Sequence, residues 1–366
     1  MPFATTAGAS LSVVQGKRYR SDNDESLRGT QLDLEPEERG LAPSALLNRY
    51  IGDALVDLGE PDPDAATYAR WQAYDRQTWP EWLHARGASE DAVALMTLGG
   101  DPKALSALYV LRQIALHGGA RRYYTIRGGM DLLPRSLATA LGDSIKYNVA
   151  VAAIEQGPTN VQVSTVENGR TGTLTADRLV LAIPFSTLRR IDIRTPFAKD
   201  KMRAIEALSY YPATRFLFQT RNRFWQESGL SGAARTDFAV ETWDMSAGQS
   251  GTRGILSATA GGRMDEALAP LDPTARGRAG RKMLSQAFPD ADQAIDRGVM
   301  RRWSEDPWAR GAFAAFAPGQ MTTLMPAIAR AEGRVHFAGE HTSPWTGWME
   351  GALRSAARVA EEILQQ

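Results

Sequence analysis

Near the C-terminal end, Gly339, Glu340, Thr346, Gly347, Trp348 and Met349 fall within a span that reads as strand, loop and helix. Arg334 to Ala338 is a short apolar strand. A loop rich in Thr, Ser, Pro, Gly and Trp follows, and a helix from about Trp348 runs to the C-terminus with Ala352, Ala356, Val359 and Ile363 at helical spacing and Gly351 and Ser355 keeping the near face small. A strand entering a helix N-terminus through a glycine-bearing loop suits an electron-rich ligand, because free backbone N–H groups and the helix dipole point at it. The indoles of Trp345 and Trp348 add a flat, apolar wall.

Other chemistries find no residues to carry them. The chain has no cysteine, so disulfides, thiolate catalysis and cysteinyl attachment of a cofactor are excluded. His84, His117, His336 and His341 show no metal-ligand spacing with one another or with clustered carboxylates. No GxSxG elbow, P-loop or GxGxxG fingerprint occurs. The 42 basic and 42 acidic residues cancel, which argues against nucleic-acid and anionic-membrane partners. No stretch approaches the ~20 apolar residues of a membrane span, and the N-terminus lacks the features of a signal peptide. A cytoplasmic location is the resulting expectation.

The elements that must position the C-terminal stretch change character along the chain, whose 366 residues suffice for two or three domains. Leu11–Val14 and Lys17–Arg20 read as a strand pair, and the charged run from Asp22 to Glu25 as a solvated loop. Helices follow: one from Pro43 to before Gly59, one over 64–84 with an aromatic stripe of Tyr68, Trp71, Tyr74, Trp79 and Trp82, one from Ser89 to Leu98, and one over 103–117. That stripe reads as core packing. Arg121-Arg122-Tyr123-Tyr124 reads as a charged helix end entering a strand. Beyond it come a helix over 132–141, a strand over 144–154, and a hairpin turning at Glu167-Asn168-Gly169. Leu179–Ile183 reads as a fully buried strand. Helices at 199–208 and 273–288 and strands at 213–220, 238–243, 254–260 and 299–303 complete a mixed α/β (α+β) pattern.

The run from Phe337 to Ile363, FAGEHTSPWTGWMEGALRSAARVAEEI, closely resembles the C-terminal flavin-binding segment of the FAD-dependent amine oxidases, the monoamine, polyamine and L-amino-acid oxidases. The block from Tyr124 to Leu188 resembles their second flavin segment, and the passage from Val299 to Phe313 the edge of their substrate domain. The resemblance implies a partial Rossmann-like FAD domain at 123–200 and 331–366. It also implies a mixed-sheet substrate domain at 1–36 and 201–330, and a helical insert at 37–122. The two flavin segments are then expected in one domain, with Val335–Ala338 and Leu179–Ile183 in one sheet.

The resemblance assigns roles residue by residue. Val151 would lie against the adenine of FAD. Gly339 and Glu340 would face its ribityl and phosphate portion, and Thr346, Gly347, Trp348 and Met349 its flavin end. Trp348 and Phe313 match the aromatic pair flanking the substrate, with Trp303 a third ring beside the flavin. Arg215 stands where many relatives carry a lysine that holds a water. Arginine stays protonated and cannot act as a tunable base. Thr259 stands where L-amino-acid oxidases place a carboxylate-gripping tyrosine. The expected reaction is oxidation of a small primary or secondary amine with molecular oxygen, slightly favoured over an L-amino acid, releasing hydrogen peroxide.

One departure weighs against activity of the chain by itself. Members of the family open with a GxGxxG segment that is missing here, so this chain is expected to start after their first flavin segment. Losing two charge-assisted hydrogen bonds and a helix dipole would weaken FAD binding by on the order of 5 kcal/mol, roughly 10³–10⁴-fold. A homo-oligomer or a partner chain could cover the gap. A non-catalytic remnant or partner subunit of a flavoprotein is the rival class.

Overall fold

The computed structural model describes residues 7–22, 32–59, 65–117 and 126–365. The readings of Asn23 to Glu25 and of Arg121 to Tyr124 lie outside them.

Local chemistry sets the helices. Pro43 opens the helix Pro43–Leu58 in its first turn, and Gly59 ends it at φ 61° with its N–H bonded to the Leu55 carbonyl. Leu46, Tyr50, Ile51, Ala54 and Leu58 face the core. The single helix expected over 64–84 is instead three: Ala65–Arg70, Gln72–Asp75 and Trp79–Ala85. The last restarts because Thr78 and Glu81 form a reciprocal capping box with Pro80 in the first turn. Within that helix Trp79 and Trp82 stack at 5.6 Å. Ser89 caps Glu90–Met96 through the Ala92 amide at 3.1 Å. The expected helix over 103–117 is shorter, Ala107–His117, after a 3₁₀ turn.

A seven-stranded sheet runs in the order Ile295–Arg302, Ala213–Thr220, Gly254–Gly261, Val240–Asp244, Leu230–Thr236, Ala9–Val14, Lys17–Arg20. All neighbours are antiparallel except Ala9–Val14 on Leu230–Thr236. Strand alternation sorts its faces. Phe216, Phe218, Leu256, Ala258 and Val240 join Leu284 and Ala287 of the helix Pro273–Ala287 in one core. The opposite face carries Arg215, Leu217, Ser257, Thr259, Glu241, Trp243 and Arg301.

A four-stranded sheet orders Arg170–Ala176, Val161–Glu167, Val149–Gln156 and Asp192–Ile193. Its hairpin turns at Asn168 (φ 51°) and Gly169 (φ 77°), the two left-handed residues that the Asn-Gly pair anticipates. Val335–Phe337 pairs in parallel with Leu179–Leu181, as expected. That pair is not fully buried, however: Leu181 is enclosed while Val180 is 40% exposed, because no third strand among the described residues joins it. The helices of 43–117 share one core with Val335, Phe337, Phe185 and the helix Gln320–Ile328.

The C-terminal helix is Met349–Leu364. Its buried stripe is Gly351, Ser355 and Val359, four residues apart, whereas Ala352 and Ala356, expected to face inward, are exposed. Among the described residues no helix is long and apolar enough to cross a membrane.

Candidate active site

An aromatic stack forms at one end of the seven-stranded sheet. Ser209–Tyr211 pairs with Phe313–Ala315, which sets Tyr211 opposite Phe313, and the rings stack at 5.3 Å and 14°. The Tyr211 phenol fills the space beside Gly261, where an added Cβ would lie 2.6 Å from its oxygen. That oxygen accepts the Asp101 amide at 3.1 Å, and burial pushes its pKa up to about 12. Sequence reasoning missed Tyr211. Its place in Tyr210-Tyr211, just before the strand with Arg215, was the only signal.

Glu340 ties this stack to the loop before the C-terminal helix. One carboxylate oxygen accepts the Ala314 amide at 3.0 Å and the other the Gly347 amide at 2.6 Å. Burial raises its pKa, and the two amides partly counter that. Gly347 sits at φ 82°, over the Phe313 ring, where a Cβ would meet ring carbons at 3.5 Å. The loop then crosses its own helix so closely that a Cβ on Gly351 would fall 2.2 Å from the Trp345 carbonyl oxygen. Gly339, ending the strand, donates its N–H to Ser355 Oγ at 2.9 Å.

The helices of 43–117 grip the same loop. Gln113 Nε2 donates to the carbonyl and the hydroxyl of Thr346, each at 3.1 Å, and its Oε1 accepts Trp348 Nε1 at 3.3 Å. Buried Arg112 donates to the Pro344 carbonyl at 3.0 Å and to Tyr68 Oη at 2.5 Å. Two long polar residues inside the apolar run Val110-Leu111…Ile114 were the signal for this tie.

The structure therefore joins Phe313, Gly339, Glu340, Thr346, Gly347, Trp348 and Met349 through direct bonds or chain continuity. The polar side chains of Glu340 and Thr346 are engaged within the protein. What faces outward is Trp348 (37% exposed), Met349 (51% exposed) and the first turn of a helix whose N-cap, Trp348, supplies no side-chain cap. Uncapped amides with a helix dipole behind them, flanked by an indole and a thioether, fit a flat apolar ring with an electron-rich edge.

Trp303 and Arg215 belong to the sheet beside this cluster. Trp303 opens the turn after Ile295–Arg302, with the Arg301 guanidinium 5.7 Å from its ring. Arg215 is exposed, between Thr259 and Arg301 in register. Val151 is on the four-stranded sheet, 39% exposed, beside a bulge between it and Ala153. A cavity of about 580 Å³ opens on the same face of the seven-stranded sheet, walled by Tyr19, Arg235, Glu241 and Trp243 against Leu47, Leu95 and Met96.

The family model described as flavin containing amine oxidoreductase matches residues 14–364. The chain belongs to that family. It is 30% identical over 347 residues to the L-amino-acid oxidase of Mus musculus, covering 90% of this chain and 53% of that protein. Cyclohexylamine oxidase from Brevibacterium oxydans IH-35A shares the fold with a TM-score of 0.81 at 24% identity, over 99% of this chain and 82% of that one. Wild-type putrescine oxidase bound to putrescine does so with a TM-score of 0.81 at 21% identity, over 99% and 82%. This amine oxidoreductase chain spans 53–56% of the length of the first curated relatives it matches.

Proposed function

We propose that this chain carries the substrate site and most of the flavin site of an oxidase acting on small amines. Residues 123–200 and 331–366 would form the cofactor part, 1–36 and 201–330 the substrate part, and 37–122 a helical insert bracing the loop before the last helix. Bound FAD would accept the two electrons and two protons lost when the C–H bond beside nitrogen and an N–H bond give way to an imine. Molecular oxygen takes them up as hydrogen peroxide, so amine plus O₂ gives imine plus H₂O₂.

The residues have separate tasks in this reading. The uncapped helix N-terminus at Met349 favours negative charge gathering on a neighbouring ring system. Trp348, Phe313 and Trp303 supply apolar walls, which favour the neutral amine over the ammonium by desolvation. Only the neutral amine has the lone pair that the oxidation needs. Glu340 and Gln113 hold the walls at fixed separation, since misplacement by ~1 Å can cost 10²-fold in rate.

The observation that carries this reading is the Glu340 bridge, which fastens the Phe313 strand to the uncapped helix N-terminus. The test is to load the chain with excess FAD, follow flavin absorbance, and assay peroxide with a panel of amines and amino acids. The expected result is weak FAD binding, peroxide release on substrate addition, and a lower turnover in Trp348→Ala. A flavin-loaded chain that yields no peroxide with any panel member, or a chain that takes up no flavin at all, overturns it in favour of a non-catalytic subunit.

A further inference from the structure

A buried carboxylate lies on the core side of the seven-stranded sheet. Asp265, in the helix Arg263–Leu268, is fully enclosed. One of its oxygens accepts the Thr214 hydroxyl at 2.6 Å, and the other accepts Arg302 Nη2 at 2.8 Å and the Ser304 hydroxyl at 3.4 Å. Arg302 is opposite Thr214 in register, and its largely enclosed side chain also donates to Glu305 at 3.1 Å. Glu305 in turn holds the Arg276 guanidinium by two bonds, at 2.6 and 2.7 Å. Arg276 then donates to the carbonyls of Leu268 and Ala269, at the end of the helix that carries Asp265. The four charges alternate in sign and close a ring.

Trp303 stands inside this ring. The residues before and after it are bonded to the same carboxylate. Its own carbonyl accepts the amides of Asp306 at 3.2 Å and Gly311 at 3.1 Å, where the turn returns toward Phe313. Alternation puts Thr214 on the face opposite Arg215, so Asp265 acts from the core while Trp303, 38% exposed, lies beside the aromatic cluster. Stability alone gives a weak reason for such a group. A buried ion pair recovers little more than its desolvation costs, and apolar residues of similar volume hold a core as well or better. What a carboxylate ringed by three donors does supply is fixed geometry, because each bond constrains direction as well as distance.

We infer that Asp265 is a positioning residue for the oxidation, acting from the core by holding Trp303 in place beside the aromatic cluster. This rests on the proposed function for the task of Trp303 as an apolar wall. Through Arg302 and Thr214 the carboxylate fixes the end of Ile295–Arg302 against Ala213–Thr220, and through Ser304 it fixes the turn that follows. The demand is strict, since a wall displaced by ~1 Å can cost 10²-fold in rate.

Two variants separate position from stability. Asp265→Asn keeps the size of the side chain and its capacity to bond Thr214 and Arg302, but removes the charge. Asp265→Ala combined with Arg302→Met removes both charges, so neither is left buried without its partner, and removes the tether with them. Each protein is labelled with 5-fluorotryptophan, the Trp303 resonance is assigned with Trp303→Phe, and fluorine NMR and urea denaturation are recorded. Peroxide release is assayed with excess FAD and the amine that wild type turns over fastest. Asp265→Asn is expected to lower the urea midpoint yet keep the Trp303 resonance and a kcat within about threefold of wild type. The double variant is expected to regain the midpoint, broaden or split the Trp303 resonance, and lower kcat and kcat/KM together by about 10–100-fold. Arg302→Lys carries less risk of misfolding. It keeps a cation that cannot span Asp265 and Glu305 together, and should broaden the same resonance. A wild-type Trp303 resonance in the double variant or in Arg302→Lys, or turnover that simply follows stability, overturns the inference. Failure of the oxidase reading shows separately, as absent peroxide from wild type while the resonance still reports how Trp303 is held.

Discussion

Replacing Glu340 by glutamine keeps the size and shape of the side chain but gives one of its two acceptor positions to an NH₂ group. In the wild type both oxygens receive backbone amides, Ala314 at 3.0 Å and Gly347 at 2.6 Å. A hydrogen bond to a charged acceptor contributes about 1.5–3 kcal/mol, and a neutral one about 1 kcal/mol. Glutamine faces one amide with a donor, losing that bond, and keeps the other as a neutral bond. The gross loss is about 2–5 kcal/mol. Part returns because a neutral amide is spared the desolvation that raises the carboxyl pKa. A net loss of about 2 kcal/mol is expected. It should appear as a lower urea midpoint at unchanged slope, with faster hydrogen exchange at the Ala314 and Gly347 amides. Stability within about 0.5 kcal/mol of wild type and unchanged exchange at both amides would refute the clamp, since surface-type substitutions fall in that range.

Further expectations concern the same loop and its supports. Burial, and to a smaller degree the Lys201 charge, lower the His341 pKa to about 3, so between pH 6.5 and 3 the unfolded chain takes up a proton that the folded chain refuses. Stability should fall as pH drops through that window, and His341→Phe should flatten the fall when melting temperatures are compared from pH 7 to 4. Gln113→Ala removes three hydrogen bonds to Thr346 and Trp348, and should cost about 1–2 kcal/mol and lower turnover more than flavin content. Gly351→Ala drives a methyl to 2.2 Å from the Trp345 carbonyl oxygen and should cost on the order of 3 kcal/mol or more, measured by chemical denaturation.

What could be read from the sequence was governed by how local the cause is. Pro43 and Gly59 bound their helix, and Asn168-Gly169 turns its hairpin, because each acts through dihedral preferences within a few residues. The aromatic stripe was correctly placed in the core, yet its single helix proved to be three, because a Thr78–Glu81 capping box restarts the helix inside the pattern. The inward face of the last helix was read correctly at Gly351, Ser355 and Val359 but not at Ala352 and Ala356. Small residues fill several of its positions, so Ala352 and Ala356 carry almost no sidedness, and close approach at Gly351 and Ser355 decides which face is inward. The candidate site was proposed on a resemblance at 337–363, but the side chains that brace its loop were not legible. Gln113 reaches Thr346 across 233 positions, and no periodicity encodes such a bond. Arg215 and Thr259 are neighbours only through the pairing of two antiparallel strands.

The parallel strand Ala9–Val14 has a consequence for how the chain is made. Its partner Leu230–Thr236 and the Asp237 carboxylate that receives the Gln15 amide come 222 positions later. At a synthesis rate of ~5–20 residues per second, the hairpin Ala9–Arg20 leaves the ribosome about 10–45 s before its neighbour exists. During that interval Leu11 and Val13 are without the core they later enter, on a strand whose edge is open to any other chain. Lys17, Arg18 and Arg20 crowd the adjoining strand, and like charges on such a ribbon disfavour pairing between two nascent copies. The basic hairpin thus protects itself until its partner emerges.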